Sequence, residues 1–525
     1  MANGRRVTQA PVFHIGMFPA LEIWQEGPEG AHLAPTARGP CDRKYQVEMP
    51  GHPLKSAAED DMTRPTQGAF RKVLHLLGLG FGCAALSCVQ LPEIHYLNSP
   101  MHPDASPVAS ASPEGGGAGK TEALLITRLT GARIAIPGRA ALEAAASGHS
   151  WIAGNKVTLL FDGPQTMDAM TAAIAKAKDS INLETFIFDQ DEMGLRFADL
   201  LIRKQHEGVQ VNIIYDCVGT LGTPSAFFTR MGEAGIHLCA FNPVNPLRRL
   251  GRWRINHRDH RKILVVDGRV AFTGGANISD TYANGSLFHR KARRTANLGW
   301  RDTHVRIEGP AVAALQLLFV ENWFSQKGDG LDPKVYFPAL AEAGDKTVRV
   351  IGSQPGSDFE IYRAYVQAFE QAKQSIHLTA AYFVPDAQLV KALEEAARRG
   401  VQVELVLTNV NDSGLVHRAS QSYYQELLKL GVRVFQLKSS ILHAKTGVVD
   451  AHWSTVGSTN LDMRSFIFNK EINIVVLGDS FARELEVAFQ EDRRNSIEIT
   501  EKTWTQRPER DRIKEWASRA LEPWL

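Results

Sequence analysis

From residue 157 onward, short apolar runs alternate with amphipathic ones. VTLLF (157–161) is a compact apolar run, and TMDAMTAAIAKAKD (166–179) spaces its apolar positions three and four apart. The first predicts a strand and the second a helix packed on one face. INLETFIF (181–188) predicts another strand, LRFADLLIRKQHEG (195–208) a second helix, and VQVNIIYD (209–216) a strand buried on both faces. Strands that alternate with helices in this way predict an α/β fold whose sheet is covered on both faces. Further on, ILVV (263–266) and VAFTGG (270–275) predict a strand pair joined by the turn residues Asp267 and Gly268.

The pattern then recurs. AKDSINLETFIF (177–188) returns as AKQSIHLTAAYF (372–383), and EGVQVNIIYD (207–216) returns as RGVQVELVLT (399–408). HRKILVVDGRVAFTGGAN (260–277) returns as HAKTGVVDAHWSTVGSTN (443–460). The copies keep their order while the loops between them change length, which predicts two homologous domains, residues 151–335 and 336–525.

Ahead of the repeats the character changes. Residues 1–61 scatter proline, glycine and charge without a period, as in a disordered segment or an upstream extension before a start at Met62. In 62–97, Arg64, Arg71 and Lys72 precede an apolar run from Val73 to Val89, the layout of a signal or anchor segment. ALSC, ending at Cys88, resembles a bacterial lipoprotein cleavage box, and a buried core helix is the competing reading. The Pro-, Ser- and Gly-rich start of 98–150 reads as a linker. Positive charge before the apolar run places the body that follows outside the cytoplasm, at the inner membrane of a bacterial envelope.

Composition narrows the function. Among 525 residues, 22% are charged and the net charge is +2, too small for the broad basic surface of a nucleic-acid binder. The five cysteines, Cys41, Cys83, Cys88, Cys217 and Cys239, form no C-x-x-C pair and suggest neither a disulfide framework nor a zinc site.

The decisive chemistry sits in the third repeated segment. Each copy carries H-x-K-x-x-x-x-D followed by G-G/S-x-N: His260, Lys262, Asp267, Gly275 and Asn277 in the first, His443, Lys445, Asp450, Ser458 and Asn460 in the second. Two such sets in register resemble the phospholipase D superfamily. AYFVPD, LHAK, VGSTNLDMRSFIFNKE and WRDTHV are similar to bacterial cardiolipin synthases, over about residues 150–525. The resemblance implies two phospholipase D-like α/β sandwich domains facing each other across a pseudo-two-fold axis, with one composite site between them.

The resemblance further implies that this site breaks a phosphodiester, with no metal or nucleotide cofactor called for. One histidine attacks phosphorus to give a phosphohistidine, and the other protonates the departing alkoxide and deprotonates the incoming alcohol. Lys262, Lys445, Asn277 and Asn460 are expected to hold the phosphate oxygens, and the resemblance implies that the motif aspartates Asp267 and Asp450 are structural supports. The sequence does not settle which histidine is the nucleophile, although family precedent favours His260. Each imidazole also needs an orienting acid. Asp302 and Glu471 stand on equivalent late strands, and the expectation is that Asp302 serves His260 and Glu471 serves His443.

The expected reaction is phosphatidyl transfer between two phosphatidylglycerol molecules. Hydrolysis to phosphatidic acid is the alternative, followed by a metal-independent nuclease and a non-catalytic lipid-binding scaffold. Arg248, Arg249, Arg252, Arg254, Arg258, Arg261 and Lys262 predict a basic entrance suited to an anionic lipid. In the tail, Ile513, Trp516, Ala517, Ala520 and Leu521 lie near one helical face, as in a helix resting on a membrane surface. A tail helix packed on the body reads equally well. The oligomeric state is not legible.

Overall fold

The computed structural model describes residues 91, 151–245, 256–283, 299–326, 331, 334–356, 359–410 and 413–521. The expectations for 1–61, for the targeting segment within 62–97 and for the linker 98–150 lie outside the described residues, as do Arg248, Arg249, Arg252 and Arg254. Among the described residues, no helix is long and apolar enough to cross a membrane.

The first repeat supplies β1 (Ile152–Leu160), β2 (Ser180–Thr185), β3 (Gln210–Asp216), β4 (His237–Phe241), β5 (Arg258–Asp259), β6 (Ile263–Val266), β7 (Val270–Gly274), β8 (Trp300–Arg301) and β9 (His304–Glu308). The second supplies β10 (Lys346–Ser353), β11 (Ser375–Ala380), β12 (Phe383–Val384), β13 (Gln402–Thr408), β14 (Arg433–Leu437), β15 (Ile441–Leu442), β16 (Lys445–Val449), β17 (Trp453–Gly457), β18 (Leu461–Asp462), β19 (Asn469–Leu477) and β20 (Ser496–Ile499). In space the first half runs β1-β9-β7-β6-β2-β3-β4 and the second β10-β19-β17-β16-β11-β13-β14, closed by β20. The two orders are the same, position for position. An antiparallel pairing of β1 with β10 joins them edge to edge, and β5, which pairs with β19 off this path, completes one sixteen-stranded sheet.

Alternation along β3 shows why its sequence is apolar throughout. Ile213 packs with Met170, Ile174, Phe197 and Leu201 of the helices Gly163–Ala175 and Glu192–His206. Its neighbour Ile214 points to the other face and packs with Phe319, Val320 and Trp323 of the helix Val312–Ser325. Successive strand residues face opposite ways, so a strand covered on both sides has no position left for a polar face. Three of the helices start where an aspartate accepts a free backbone N–H: Asp162 from Gln165, Asp191 from Gly194, and Asp386 from Leu389.

The halves also share a core. Val157, Ile263, Val265 and Val305 of the first pack in one cluster with Val348, Val448, Ile472 and Ile474 of the second. That shared core brings the starts of β6 and β16, and with them both histidine motifs, towards the seam between the halves.

Candidate active site

Two very short strand pairs stitch the seam. β5 runs parallel to β19, with Asp259 opposite Lys470, and β8 runs parallel to β15, with Arg301 opposite Leu442. The backbone N–H of His260 donates to Lys470 O at 2.9 Å, and that of His443 donates to Arg301 O at 2.8 Å. Each histidine is therefore held by the backbone of the other half, one residue before that half's acidic side chain.

The consequence is a crossing. His260 Nδ1 lies 2.9 Å from Glu471 Oε2, and His443 Nδ1 lies 2.7 Å from Asp302 Oδ2. The sequence-based pairing, Asp302 with His260 and Glu471 with His443, is thus reversed. Both acids do contact a histidine, but each contacts the one from the opposite repeat. A carboxylate on Nδ1 fixes the tautomer and leaves Nε2 as the reactive nitrogen.

Burial tunes these groups. It pushes the His260 imidazole down to about 4; Glu471 opposes this, while Lys262 and Lys445 reinforce it. Burial likewise brings Lys262 down to about 7, with Glu471 opposing and Lys445 contributing in the same direction. Lys445 of the second half thus acts on His260 and Lys262 of the first, so cations from both halves act on one site. For Glu471, burial favours the neutral acid, but His260, Lys262 and the Ser458 hydroxyl outweigh it and hold the carboxyl below its ordinary range. Asp302 is raised by burial, which Lys445 and the Thr303 N–H only partly offset. Each lysine also reaches back to its own motif: Lys262 Nζ donates to His260 O at 2.6 Å, and Lys445 Nζ donates to His443 O.

Comparison with known proteins fits this arrangement. The cardiolipin synthase, phospholipase D-like domain family matches residues 170–287 and 365–493, one stretch in each half. A cardiolipin synthase of Listeria innocua is 38% identical over 376 residues, 71% of this chain and 76% of the relative. The major cardiolipin synthase ClsA of Bacillus subtilis is 36% identical over 375 residues, again 71% of this chain and 76% of the relative. The chain belongs to the cardiolipin synthase family of the phospholipase D superfamily. A phosphatidylserine synthase of Haemophilus influenzae shares the fold, with a TM-score of 0.55 and 14% identity over 71% of this chain and 97% of its own.

Within this family member the remaining motif residues form three pairs. Asp267 and Asp450 stand at the far ends of β6 and β16 from the histidines, and they do not reach the site. Asp267 accepts the backbone N–H groups of Lys178, Asp179 and Ser180, and Asp450 accepts those of Lys373, Gln374 and Ser375. Both tie a turn to the start of the neighbouring strand, and both occupy the left-handed region, at φ 54° and 52°. Gly275 and Ser458 act on the acids instead. A Cβ at Gly275 would stand 2.1 Å from Asp302 Oδ1, so glycine leaves that carboxylate its place. Ser458 Oγ donates to Glu471 Oε2 at 2.5 Å, and Asn469 adds a second donor to Oε1. Asn277 accepts the Ile187 N–H and donates to Tyr282 Oη at 2.7 Å, while Asn460 Oδ1 is buried without a partner among the described residues.

His260 and Lys262 lie on the irregular link between β5, which ends at Asp259, and β6. Arg258 and Arg261 do not line an open basic entrance. Arg258 is buried against Asp216 and the Asn242 carbonyl, and Arg261 donates to Glu471 O and Ser353 O. Sequence reasoning missed the aromatic rings around the imidazoles: Phe186 edge-on to His260 at 5.2 Å, and Tyr282 and Trp300 at 5.3 and 4.9 Å from His443. Trp300 was visible only as a neighbour of Asp302 in WRD.

Proposed function

We propose that the protein transfers a phosphatidyl group from one phosphatidylglycerol to a hydroxyl of another, giving cardiolipin and glycerol. The observation that carries this reading is the crossed pair of His–carboxylate contacts, with lysines of both halves acting on the same site. His260 is the nucleophile, because burial and two lysines keep it neutral with Nε2 unprotonated. Its lone pair attacks phosphorus, the bond to the glycerol oxygen breaks, and His443 gives that oxygen its proton. His443 then takes the proton from a hydroxyl of the second phosphatidylglycerol. That oxygen attacks the phosphohistidine, the P–N bond breaks, and His260 returns to its starting state. Lys262 and Lys445 balance the charge on the non-bridging oxygens, and Asn277 and Asn460 position them.

We place the domain boundaries at 151–335 and 336–525, a division that the matched strand orders support, and the catalytic body at a bacterial inner membrane, facing the periplasm. Incubation with radiolabelled phosphatidylglycerol in membranes tests the reaction. Labelled cardiolipin is expected. Phosphatidic acid in its place would make the protein a hydrolase, and no product would sink the catalytic reading.

A further inference from the structure

The tail helix Glu509–Arg519 packs on the body with its polar side and turns its apolar side out. Glu515 and Ser518 are buried, and Glu515 takes a two-pronged contact from Arg507, whose Nε lies 3.1 Å from each carboxylate oxygen. Arg519 lies over the Tyr423 ring at 4.2 Å and 3.7 Å from Glu426. The apolar positions do the opposite. Ile513 is 66% exposed and Trp516 73%, more than any other large apolar side chain among the described residues, and they sit one turn apart beside exposed Ala517. Had this helix served to extend the core, Ile513 and Trp516 would face the protein; the apolar face read from the sequence is the one left uncovered.

The location of this face narrows what could cover it. The helix lies against Gly414–Ser422, which follows the C-terminal end of β13 and touches β12. β12 pairs with β18, the two residues directly after Asn460. The exposed pair is thus on the same end of the sheet as the histidines. Arg510, Arg512 and Lys514 project from the same helix and are exposed, against exposed Glu509 and half-buried Asp511. An indole and a branched aliphatic side chain flanked by cations match the boundary of a bilayer with anionic headgroups, where the apolar tips enter the acyl edge and the cations stay among the phosphates.

We infer that Ile513 and Trp516 form a docking surface that seats the active-site end of the second half on an anionic lipid bilayer. This rests on the reading that the substrate is a membrane phospholipid, and it names the face by which the enzyme meets that lipid. The test uses the full-length protein with vesicles of phosphatidylglycerol, either ordinary or brominated in the acyl chains. The emission of Trp516 is taken as the difference between wild type and Trp516→Phe. It is expected to shift to the blue on ordinary vesicles and to be lost on brominated ones. In the same vesicles, Ile513→Ser/Trp516→Ser is expected to raise the apparent KM at least about fivefold, with turnover on detergent-dispersed lipid unchanged. An unquenched Trp516 overturns the inference. So does an unquenched Trp516 accompanied by a dimer that Trp516→Ser dissociates, which would assign the face to a second copy of the chain. Quenching without cardiolipin formation upholds the surface and removes the catalytic reading, so the two fail separately.

Discussion

Glycine and serine at the matched positions 275 and 458 give the two orienting acids unequal settings. Asp302 fits only because residue 275 has no side chain, since the nearest carboxylate oxygen would stand 2.1 Å from a Cβ there. Gly275→Ala is expected to displace Asp302 from His443 and lower kcat on the order of 10²-fold, because small misplacements of a reacting group are costly. Ser458→Ala removes one donor from Glu471 but leaves Asn469 and His260 in contact, so its loss is expected to stay near tenfold, the scale of one hydrogen bond to a charged group at ~1.5 kcal/mol. Steady-state kinetics of the two variants side by side separates the effects. The pH profile of kcat/KM follows from the same environment. His260 must be unprotonated to attack, and with its proton held only below about 4, the acid limb lies well under that of a free imidazole. Lys262 must be charged to hold phosphate and loses its proton near 7, so kcat/KM is expected to fall as pH rises through that value. Lys262→Arg keeps its charge and should carry the alkaline limb upward; a limb that stays in place belongs to another group.

Glu471 lies on β19 and Asp302 on the short link between β8 and β9, and the basic residue just before each acid is clamped from the opposite half. Arg301, just before Asp302, makes a buried two-pronged pair with Asp492 of the helix Asp479–Arg494, at 2.9 and 3.0 Å. Lys470, just before Glu471, donates to Asn322 Oδ1 of the helix Val312–Ser325 at 2.8 Å, and Asn322 Nδ2 reaches Glu184 and Asp259. Burial, aided by the charge on Asp259, pushes Glu184 well above its usual range. Breaking a buried ion pair strands the remaining charge, at about 3 kcal/mol or more. Asp492→Asn is therefore expected to lower the unfolding midpoint and also kcat, since β8 carries both Arg301 and the carbonyl that holds His443. Thermal unfolding read beside kinetics checks both; a variant with wild-type rate and stability would remove the clamp from the account. Little of this seam was legible in the sequence. The long strands and helices announced themselves by period, but β5, β8 and β15 are two residues each, too short for any period to show. The repeat identifies Asp302 and Glu471 as equivalents. Equivalence is the same whether contacts run within a copy or between copies, so it could not reveal the crossing between residues 260 and 471.

At the scale of the whole molecule, the crossing makes one site out of two incomplete ones. The first half contains His260 without the acid that orients it, and the second contains His443 in the same condition. What brings the missing partners together is covalent continuity and the β1–β10 join, reinforced by the shared apolar core. His260→Ala and His443→Ala are each expected to abolish turnover with the fold intact, because the nucleophile and the proton carrier have no substitutes. A mixture of the two inactive chains then reports where the site is assembled. Each chain keeps one histidine, its crossed acid and all the backbone contacts of the seam, but no chain holds both histidines. With the seam closed inside one chain, mixing is expected to give no more cardiolipin than either variant alone, at any protein concentration. Concentration-dependent recovery would mean that halves exchange between chains, so that His260 of one copy meets Glu471 of another. The same sixteen-stranded order would then be built from two polypeptides, and the intrachain account of the crossing would fall.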